Sequence, residues 1–325
     1  MHIVITGANG FVGHALAHHL AQRGELGGRP IRRLSLLDLS FDQYTQSRVP
    51  VDHYAGDLAD TRWLNRVLGT SRLDSVFHLA SLPGGLAEQN YALARAVNLE
   101  ATQGLLELGK QQVEAGGPAP RFVFASSIAA LGELSGHVTD DTPLRPQLTY
   151  GAQKLIGEIM LADFSRRGWV DGRSLRLPGI LARPAAPTGQ LSAFLSDIIR
   201  ALKAGQRFVC PTSANATTWA VSLPCAVDAL MQGAIIEADN LPSGRALTLP
   251  TLCFAMQDLV AAIGDEYGTP VDDLIQWQPD ERVQALFGSF PTLDTAAADR
   301  LGFRHDGDLK QLVRQALVES EAAGA

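Results

Sequence analysis

The chain opens with an apolar run that leads directly into three glycines placed three residues apart. The run Ile3-Val4-Ile5 precedes Gly7, Gly10 and Gly13, and an apolar repeat starts at Ala15. This order predicts a buried strand, a tight turn and a helix. In such a unit the first glycine turns the chain, the second lets a pyrophosphate approach the helix N-terminus, and the third lets the helix pack on the strand. A structural turn is the alternative, but the position between a strand and a helix favours a dinucleotide site. The residues expected to line it are Gly7, Asn9, Gly10, Phe11, Val12 and Gly13.

An acidic residue follows the second predicted strand. Asp38 comes directly after Leu34-Ser35-Leu36-Leu37, and a glycine-rich insert at 24–28 accounts for its longer than usual distance from the glycine loop. A carboxylate here can accept hydrogen bonds from the adenosine 2′-hydroxyl and would repel a 2′-phosphate, which predicts NAD rather than NADP as cofactor. Arg32 and Arg33 argue for NADP, but they precede the strand and are therefore expected at its far end.

Strands and helices alternate through the first half of the chain. Strands are expected at 51–58, 75–80 and 121–125, with helices around 63–68 and from about 88 to 114. This alternation predicts a doubly wound parallel sheet, the Rossmann fold. His78 is expected to be a packed strand histidine. The further cofactor contacts predicted here are Asp57, Leu58, Leu79, Ala80, Ser81, Asn98 and Pro178.

A tyrosine and a lysine are spaced by one helical turn in Tyr150-Gly-Ala-Gln-Lys154. Such a pair, taken alone, is more often a solvated helix pair than a catalytic one. A phenol with its usual pKa near 10 is a poor base at neutral pH, but an adjacent ammonium and the positive ring of an oxidised cofactor favour the phenolate. Tyr150 and Lys154 are therefore a candidate general base and its partner, and Lys154 can also hold the nicotinamide ribose.

Three motifs together resemble one enzyme family. The segments Thr6–Gly13, His78-Leu-Ala-Ser81 and Tyr150-Gly-Ala-Gln-Lys154 are similar to the extended short-chain dehydrogenases/reductases, which include sugar-nucleotide epimerases and dehydratases. The resemblance covers nearly the whole chain. It implies Ser127 as the serine that binds the substrate hydroxyl, with Ser126 as the alternative. It also implies catalysis by Ser127, Tyr150 and Lys154, and a homodimer.

The second half of the chain predicts a smaller substrate domain interleaved with the first. Proline and small residues become frequent after Pro178, and Pro224 is expected to open a helix that returns to the main domain. We expect an NAD-binding domain at 1–178 plus about 224–250, and a substrate domain at about 179–223 plus 251–325. Another helix is expected from Phe254 to Ile263.

The substrate is expected to be a small sugar acid. Sugar-nucleotide enzymes of the resembled family carry an asparagine where this chain has Gly179-Ile180, and an Arg-Asp pair where it has Thr217-Thr218. Without this cationic clamp, the charge of a diphosphate would be poorly compensated. Segments 163–173, 177–184 and 219–228 resemble a branch that oxidises a four-carbon sugar acid at C2 with NAD.

Three residues are candidates for binding this substrate: Arg183, Thr217 and Trp219. Arg183 is the candidate partner of the substrate carboxylate, and an ion pair at the surface or between domains is its alternative. Trp219 can stack on a substrate or fill a core.

Charge, hydropathy and cysteine content argue against several other classes of function. The net charge of −7 argues against a nucleic-acid partner. The apolar start is too short for a membrane span and lacks a signal-peptide pattern, which predicts a cytoplasmic protein without membrane contact. Three cysteines without a CxxC pair predict neither disulfides nor a zinc site, and His14 and His18 have no third metal ligand beside them. The leading hypothesis for the function is a hydroxy-acid dehydrogenase. An epimerase or dehydratase and a non-catalytic dinucleotide sensor are the alternatives.

Overall fold

The computed structural model describes residues 1–42, 47–134, 136–182 and 191–322. Its strands are β1 (His2–Thr6), β2 (Glu25–Leu26), β3 (Arg29–Pro30), β4 (Arg33–Asp38), β5 (Val51–Ala55), β6 (Ser75–His78), β7 (Arg121–Ser127), β8 (His137–Val138), β9 (Asp171–Leu177), β10 (Gly179–Ile180), β11 (Phe208–Cys210), β12 (Thr217–Val221), β13 (Ala246–Thr248), β14 (Leu252–Ala255), β15 (Ile275–Trp277) and β16 (Thr292–Leu293).

Its helices are α1 (Phe11–Arg23), α2 (Thr61–Leu68), α3 (Gly84–Gln89), α4 (Tyr91–Arg95), α5 (Ala101–Glu114), α6 (Thr149–Arg166), α7 (Phe194–Lys203), α8 (Leu223–Ile235), α9 (Met256–Tyr267), α10 (Glu281–Phe287), α11 (Ala296–Arg300) and α12 (Leu309–Ala322). None of the helices in the described ranges is long and apolar enough to span a membrane.

Seven strands form one parallel sheet in the order β13-β9-β7-β6-β1-β4-β5. The inner strand β1 pairs on one side with β4 and on the other with β6, so that Thr6 lies between Leu37 and His78. The predicted doubly wound sheet is confirmed. Its inner strands are buried on both faces, because helices cover a parallel sheet on both sides. The apolar runs of β1, β4 and β7 meet that requirement.

The chain divides into two compact units. The first comprises 1–132, 144–176 and 227–248 and contains the seven-stranded sheet. The second comprises 133–143, 177–226 and 249–325. It contains the three-stranded sheet β10-β12-β14 and a core to which α7, α9 and α12 contribute. The segment 133–143, which the sequence analysis did not separate, joins the second unit because β8 pairs with β16. The division into a cofactor domain and a substrate domain stays a prediction.

Two predicted helices differ from the structure. The stretch from about 88 to 114 is not continuous, since α3 and α4 precede a π-helical turn at Ala96–Glu100, and α5 follows it. The helix expected from Phe254 begins at Met256, because Leu252–Ala255 pair antiparallel with β12 instead. The first difference is partly local, because the Asn90 side chain accepts a hydrogen bond from Leu93 N and caps α4, whereas β14 depends on the distant strand β12.

Candidate active site

The glycine loop brings the backbones of neighbouring elements close together. Gly7 has a φ of +68°, and a Cβ atom there would lie 2.7 Å from the backbone nitrogen of Ala80. A Cβ atom at Gly13 would lie 2.0 Å from the carbonyl oxygen of Gly7. Neither position can hold a side chain without a shift of backbone. The loop is therefore built for close approach, as the glycine spacing predicted.

The start of α1 suits an anion. Gly10 caps the helix without a side-chain hydrogen bond, and the first turn contains no acidic residue. The first backbone N–H groups of a helix have no partner within that helix, and the helix dipole adds positive charge there. A cradle of glycine backbone in front of this terminus fits the pyrophosphate of a dinucleotide.

Asp38 lies at the carboxyl end of β4, beside the glycine loop. Its Oδ2 accepts a hydrogen bond from the backbone nitrogen of Asn9 at 2.8 Å, and its Oδ1 accepts one from Leu39 at 2.7 Å. Arg33 lies at the opposite end of the same strand, where its guanidinium contacts Asp52 Oδ2 and Tyr54 Oη, each at 2.7 Å. Arg33, one of the two arginines that argued for NADP, is therefore held away from the carboxylate.

The other predicted cofactor residues differ in what they can offer. Asp57 is exposed, and its Oδ1 accepts a hydrogen bond from Ala59. The side chain of Leu58 is instead buried in the core of the first unit, which leaves its backbone for any cofactor contact. Pro178 is buried and belongs to the second unit. The segment after β6 consists of Leu79, Ala80 and Ser81, which are all half-buried. It contacts the glycine loop through Ala80.

The side chain of Asn98 is engaged by the protein itself. Its Nδ2 donates to Leu82 O at 3.1 Å and to Gln153 Oε1 at 2.7 Å, and its Oδ1 accepts from Leu82 N at 2.7 Å. Asn98 thus joins the loop after β6 to α6, and its amide has little capacity left for a cofactor. Gln153 Nε2 is buried and has no hydrogen-bond partner in the described part of the chain.

His78 is a packed histidine, as its place in a buried strand predicted. Its ring nitrogens form hydrogen bonds with Thr6 Oγ1 at 2.7 Å and Thr102 Oγ1 at 2.8 Å. Burial, together with the positive charge of Lys154, lowers the pKa of His78 to about 3. The imidazole is therefore neutral at physiological pH and ties β1 to α5.

Tyr150 and Lys154 lie on α6, as their spacing predicted. Lys154 Nζ lies 5.5 Å from the centroid of the Tyr150 ring, and it donates to the carbonyl oxygen of Ala125 at 2.7 Å. The lysine is 2% exposed. Burial lowers its pKa to about 7, against a smaller opposing effect of Glu158. Near neutral pH the amine is thus available in both protonation states.

The start of α6 is fixed by contacts with two other segments. Glu88 Oε1 accepts a hydrogen bond from the backbone nitrogen of Thr149 at 2.5 Å, which caps the helix one residue before Tyr150. A Cβ atom at Gly151 would lie 2.2 Å from Ala129 O. The helix therefore packs backbone against backbone on the 3₁₀ turn that follows Ser127.

The two candidate serines have different surroundings. Ser126 is buried, and its hydroxyl donates to Glu158 Oε1 at 2.5 Å. Ser127 is half-buried, and its Oγ accepts a hydrogen bond from Ala129 N at 3.1 Å, which leaves the hydroxyl proton to donate elsewhere. These surroundings favour Ser127 over Ser126 as the residue that meets a substrate.

The sequence did not reveal a buried ion pair that contacts Ser126. Glu158 and Arg176 are both buried, and their side chains approach to 2.7 Å between Nη2 and Oε2. A glutamate four residues after Lys154, together with an arginine inside an otherwise buried strand, was the available signal.

The predicted substrate residues are less well supported. Trp219 is 1% exposed, and its Nε1 donates to Pro291 O at 2.8 Å. It packs on Phe290 in the second unit, which favours the core-filling alternative over stacking on a substrate. Thr217 is half-buried, and its hydroxyl donates to Phe290 O at 2.8 Å. Arg183 lies outside the described residues. No group of three or more potential metal-ligating side chains occurs among the residues described.

A parallel sheet with a glycine loop after its first strand, and a Tyr-Lys pair on a helix beside it, defines a dinucleotide-dependent enzyme of the Rossmann type. The NAD dependent epimerase/dehydratase family matches residues 3–219, and the chain belongs to this family. It is an NAD-dependent oxidoreductase, and the family implies NAD(H) as its cofactor. The resemblance drawn from the three sequence motifs is confirmed.

The similarity to known proteins covers nearly the whole chain. A D-erythronate dehydrogenase from Cupriavidus necator is 38% identical over 330 residues, covering 99% of this chain and 100% of that protein. A D-erythronate dehydrogenase from Haemophilus influenzae is 31% identical and covers 97% and 98%, respectively. The solved structure of a nucleoside-diphosphate-sugar epimerase from Agrobacterium tumefaciens superposes with a TM-score of 0.90 at 32% identity, covering 100% of this chain and 95% of that one.

Proposed function

We propose that the chain oxidises a secondary alcohol of a small sugar acid with NAD, and that D-erythronate, oxidised at C2 to 2-oxo-tetronate, is its leading substrate. The observation that carries the chemistry is the Tyr150–Lys154 pair on α6, packed on the turn that follows Ser127. The full-length likeness to two D-erythronate dehydrogenases supports the choice of substrate.

The cofactor would be held by backbone and by one carboxylate. The glycine loop and the start of α1 would bind the pyrophosphate, and Asp38 would accept hydrogen bonds from the adenosine ribose. Lys154 would hold the nicotinamide ribose. When bound, NAD supplies the acceptor for the hydride that leaves the substrate carbon. The position of Asp38, with Arg33 held at the far end of its strand, supports NAD over NADP.

The protein's own part in the reaction is to move a proton and to hold the alcohol. Tyr150 Oη takes the hydroxyl proton of the substrate as general base. The buried amine of Lys154, with a pKa of about 7, favours the phenolate when protonated. Ser127 Oγ donates to the substrate oxygen and fixes its orientation. Arg183 and Thr217 remain the proposed partners of the substrate acid.

An epimerase or dehydratase is the second candidate, because an epimerase structure from Agrobacterium tumefaciens is similar over the whole chain. The sequence segments that would bind a diphosphate, however, hold Gly179-Ile180 and Thr217-Thr218 instead of the family's polar and charged residues. A non-catalytic dinucleotide sensor would have no need of Ser127, Tyr150 and Lys154 together.

One assay separates these functions. Purified protein is mixed with NAD and, in turn, with four-carbon aldonates, 3-hydroxy amino acids and UDP-sugars, while the absorbance of NADH is followed. Growth of NADH with D-erythronate supports the proposal. Turnover of a UDP-sugar without net NADH would replace it with the epimerase, and binding of NAD without any turnover would favour the sensor. The proposed homodimer is tested separately by light scattering during gel filtration.

A further inference from the structure

A buried carboxylate lies one helical turn beyond Lys154 on α6. Glu158 is 4% exposed and contacts the Arg176 guanidinium through both oxygens, with Nε to Oε1 at 3.0 Å and Nη2 to Oε2 at 2.7 Å. Its Oε1 also accepts from Ser126 Oγ. Arg176 donates from Nη1 to Thr248 Oγ1 at 3.3 Å. Side chains from α6, β7, β9 and β13 therefore form one connected network.

The network lies at the same edge of the sheet as the proposed catalytic groups. Ser126 directly precedes Ser127, Arg176 is the next-to-last residue of β9, and Thr248 is the last residue of β13. Ser126 also follows Ala125, whose carbonyl accepts from Lys154 Nζ. The ion pair is thus connected to Lys154 both along α6 and through β7.

Several titratable groups act on the buried amine or lie near it. Among the described residues, Glu158 of α6 and His78 of β6 interact electrostatically with Lys154, and the Tyr150 ring lies 5.5 Å from its Nζ. Arg176 of β9 pairs with Glu158, and Glu88 of α3 contacts the start of α6. His78 is neutral near pH 7, since its pKa is about 3. Glu88 is exposed to solvent, which screens its charge. Glu158 is therefore the buried charge that acts on Lys154, and Arg176 is the ion-pair partner of that carboxylate.

Charges act strongly at short range in a buried site, because little water screens them. Glu158 favours the protonated amine, and the positive charge of Arg176, paired with that carboxylate, acts on the amine in the opposite sense. Removal of one partner leaves the other charge uncompensated, and the two removals act on the amine in opposite directions.

We infer that Glu158 and Arg176 are positioning residues that act through Lys154, and that their paired charges set the pH at which the Tyr150–Lys154 pair gives up its proton. This inference rests on the proposed function of that pair. Neither residue is assigned contact with substrate or cofactor. The role differs from a purely structural ion pair, which would change stability and leave the proton equilibrium of Lys154 in place.

The test compares single variants that should shift the proton equilibrium in opposite directions. The pH profile of kcat/KM is measured for Glu158→Gln and Arg176→Gln with saturating NAD. We expect the apparent pKa of the acid limb of this profile to fall by about one unit in Glu158→Gln and to rise by about one unit in Arg176→Gln. The double variant, which removes both charges, and Arg176→Lys, which keeps the charge, should have limbs close to that of the wild type.

A second readout needs neither turnover nor cofactor. The chain has four lysines, Lys110, Lys154, Lys203 and Lys310, so the NMR signal of a ¹³Cε-labelled Lys154 can be assigned by its loss in Lys154→Met. Its titration should move in the same two directions in the two single variants. If one single variant fails to fold, the other still decides, because its titration must move in the stated direction. A displaced titration in the double variant or in Arg176→Lys would also contradict the inference.

The two proposals fail separately. If Tyr150→Phe keeps near-normal turnover, the proposed function is wrong, while the NMR titrations still report whether the ion pair controls Lys154. If Tyr150→Phe loses turnover but Glu158→Gln and Arg176→Gln leave both readouts unmoved, or move them in the same direction, the inference about the ion pair is overturned and the proposed function stands.

Discussion

The buried amine of Lys154 should make the stability of the protein depend on pH in a way that a single substitution removes. Burial lowers the pKa of Lys154 from its ordinary value of 10.5 to about 7. Protonation of this amine in the folded state therefore costs roughly 5 kcal/mol more than in the unfolded chain, at about 1.4 kcal/mol for each pH unit. Lys154→Met keeps the length of the side chain and removes the titrating group.

The sign follows from which state binds the proton. Between pH 7 and 10.5 the unfolded chain holds a proton on Lys154 that the folded protein has released. The free energy of unfolding of the wild type should therefore rise with pH across this window, relative to Lys154→Met. From pH 7 to 9.5 the relative gain should be roughly 3 kcal/mol. Below pH 7 the contribution of Lys154 should be constant.

The assay is urea unfolding followed by tryptophan fluorescence, for both proteins, at half-unit steps from pH 6 to 9.5. The difference between the two free energies of unfolding is the quantity of interest, since titrations of all other groups cancel in it. Lys310→Met, at an exposed lysine of α12, controls for the loss of one positive charge. A wild-type minus variant difference that stays constant across the window would refute the depressed pKa and the reasoning built on it.

Five further substitutions test the proposed site. Tyr150→Phe should lower kcat at least about a hundredfold, the low end for a lost general base, while calorimetry shows unchanged NAD binding; near-normal turnover would contradict the role. Ser127→Ala should lower kcat/KM by about a hundredfold through lost orientation of the substrate. Its matched neighbour Ser126→Ala should instead destabilise the fold by about 1–2 kcal/mol in urea, with a smaller effect on kcat/KM; equal kinetic effects would remove the distinction. Asp38→Asn should raise the ratio of NADP to NAD efficiency at least about tenfold, because it removes a like charge near the 2′-phosphate; an unchanged ratio would show that Asp38 does not select the cofactor. Arg183→Ala should raise KM for an acid substrate and not for a neutral analogue, and an unchanged KM would assign Arg183 to structure.

The strands, helices and turns that short sequence patterns specify were predictable, and the contacts between distant segments were not. The glycine loop and the strands of the large sheet are encoded in short runs of apolar residues and glycines, each of which specifies its own conformation. The π-helical turn around Asn98 is different. Asn98 there binds Gln153, 55 residues later in the chain, and no local pattern reports that contact.

The same reason explains what was missed or misjudged in the site. The burial of Trp219 depends on Pro291, 72 residues later, so the choice between core and substrate contact stayed open in the sequence. Glu158 and Arg176 are 18 residues apart and join a helix to a strand, and either one alone reads as an ordinary charged residue. Only the packed structure shows that they neutralise each other in the interior.

The backbone contact between Gly151 and Ala129 has a consequence for how such an enzyme can change over evolution. The start of α6, which carries the proposed base Tyr150, packs through main-chain atoms on the turn after Ser127 within the first unit, and the hydrophobic core of the second unit is built from other residues. If Tyr150 and Ser127 act as proposed, mutations that remodel the second unit can therefore accumulate while these two groups keep their positions. A scaffold of this kind allows new substrates to be acquired without the chemistry being invented again.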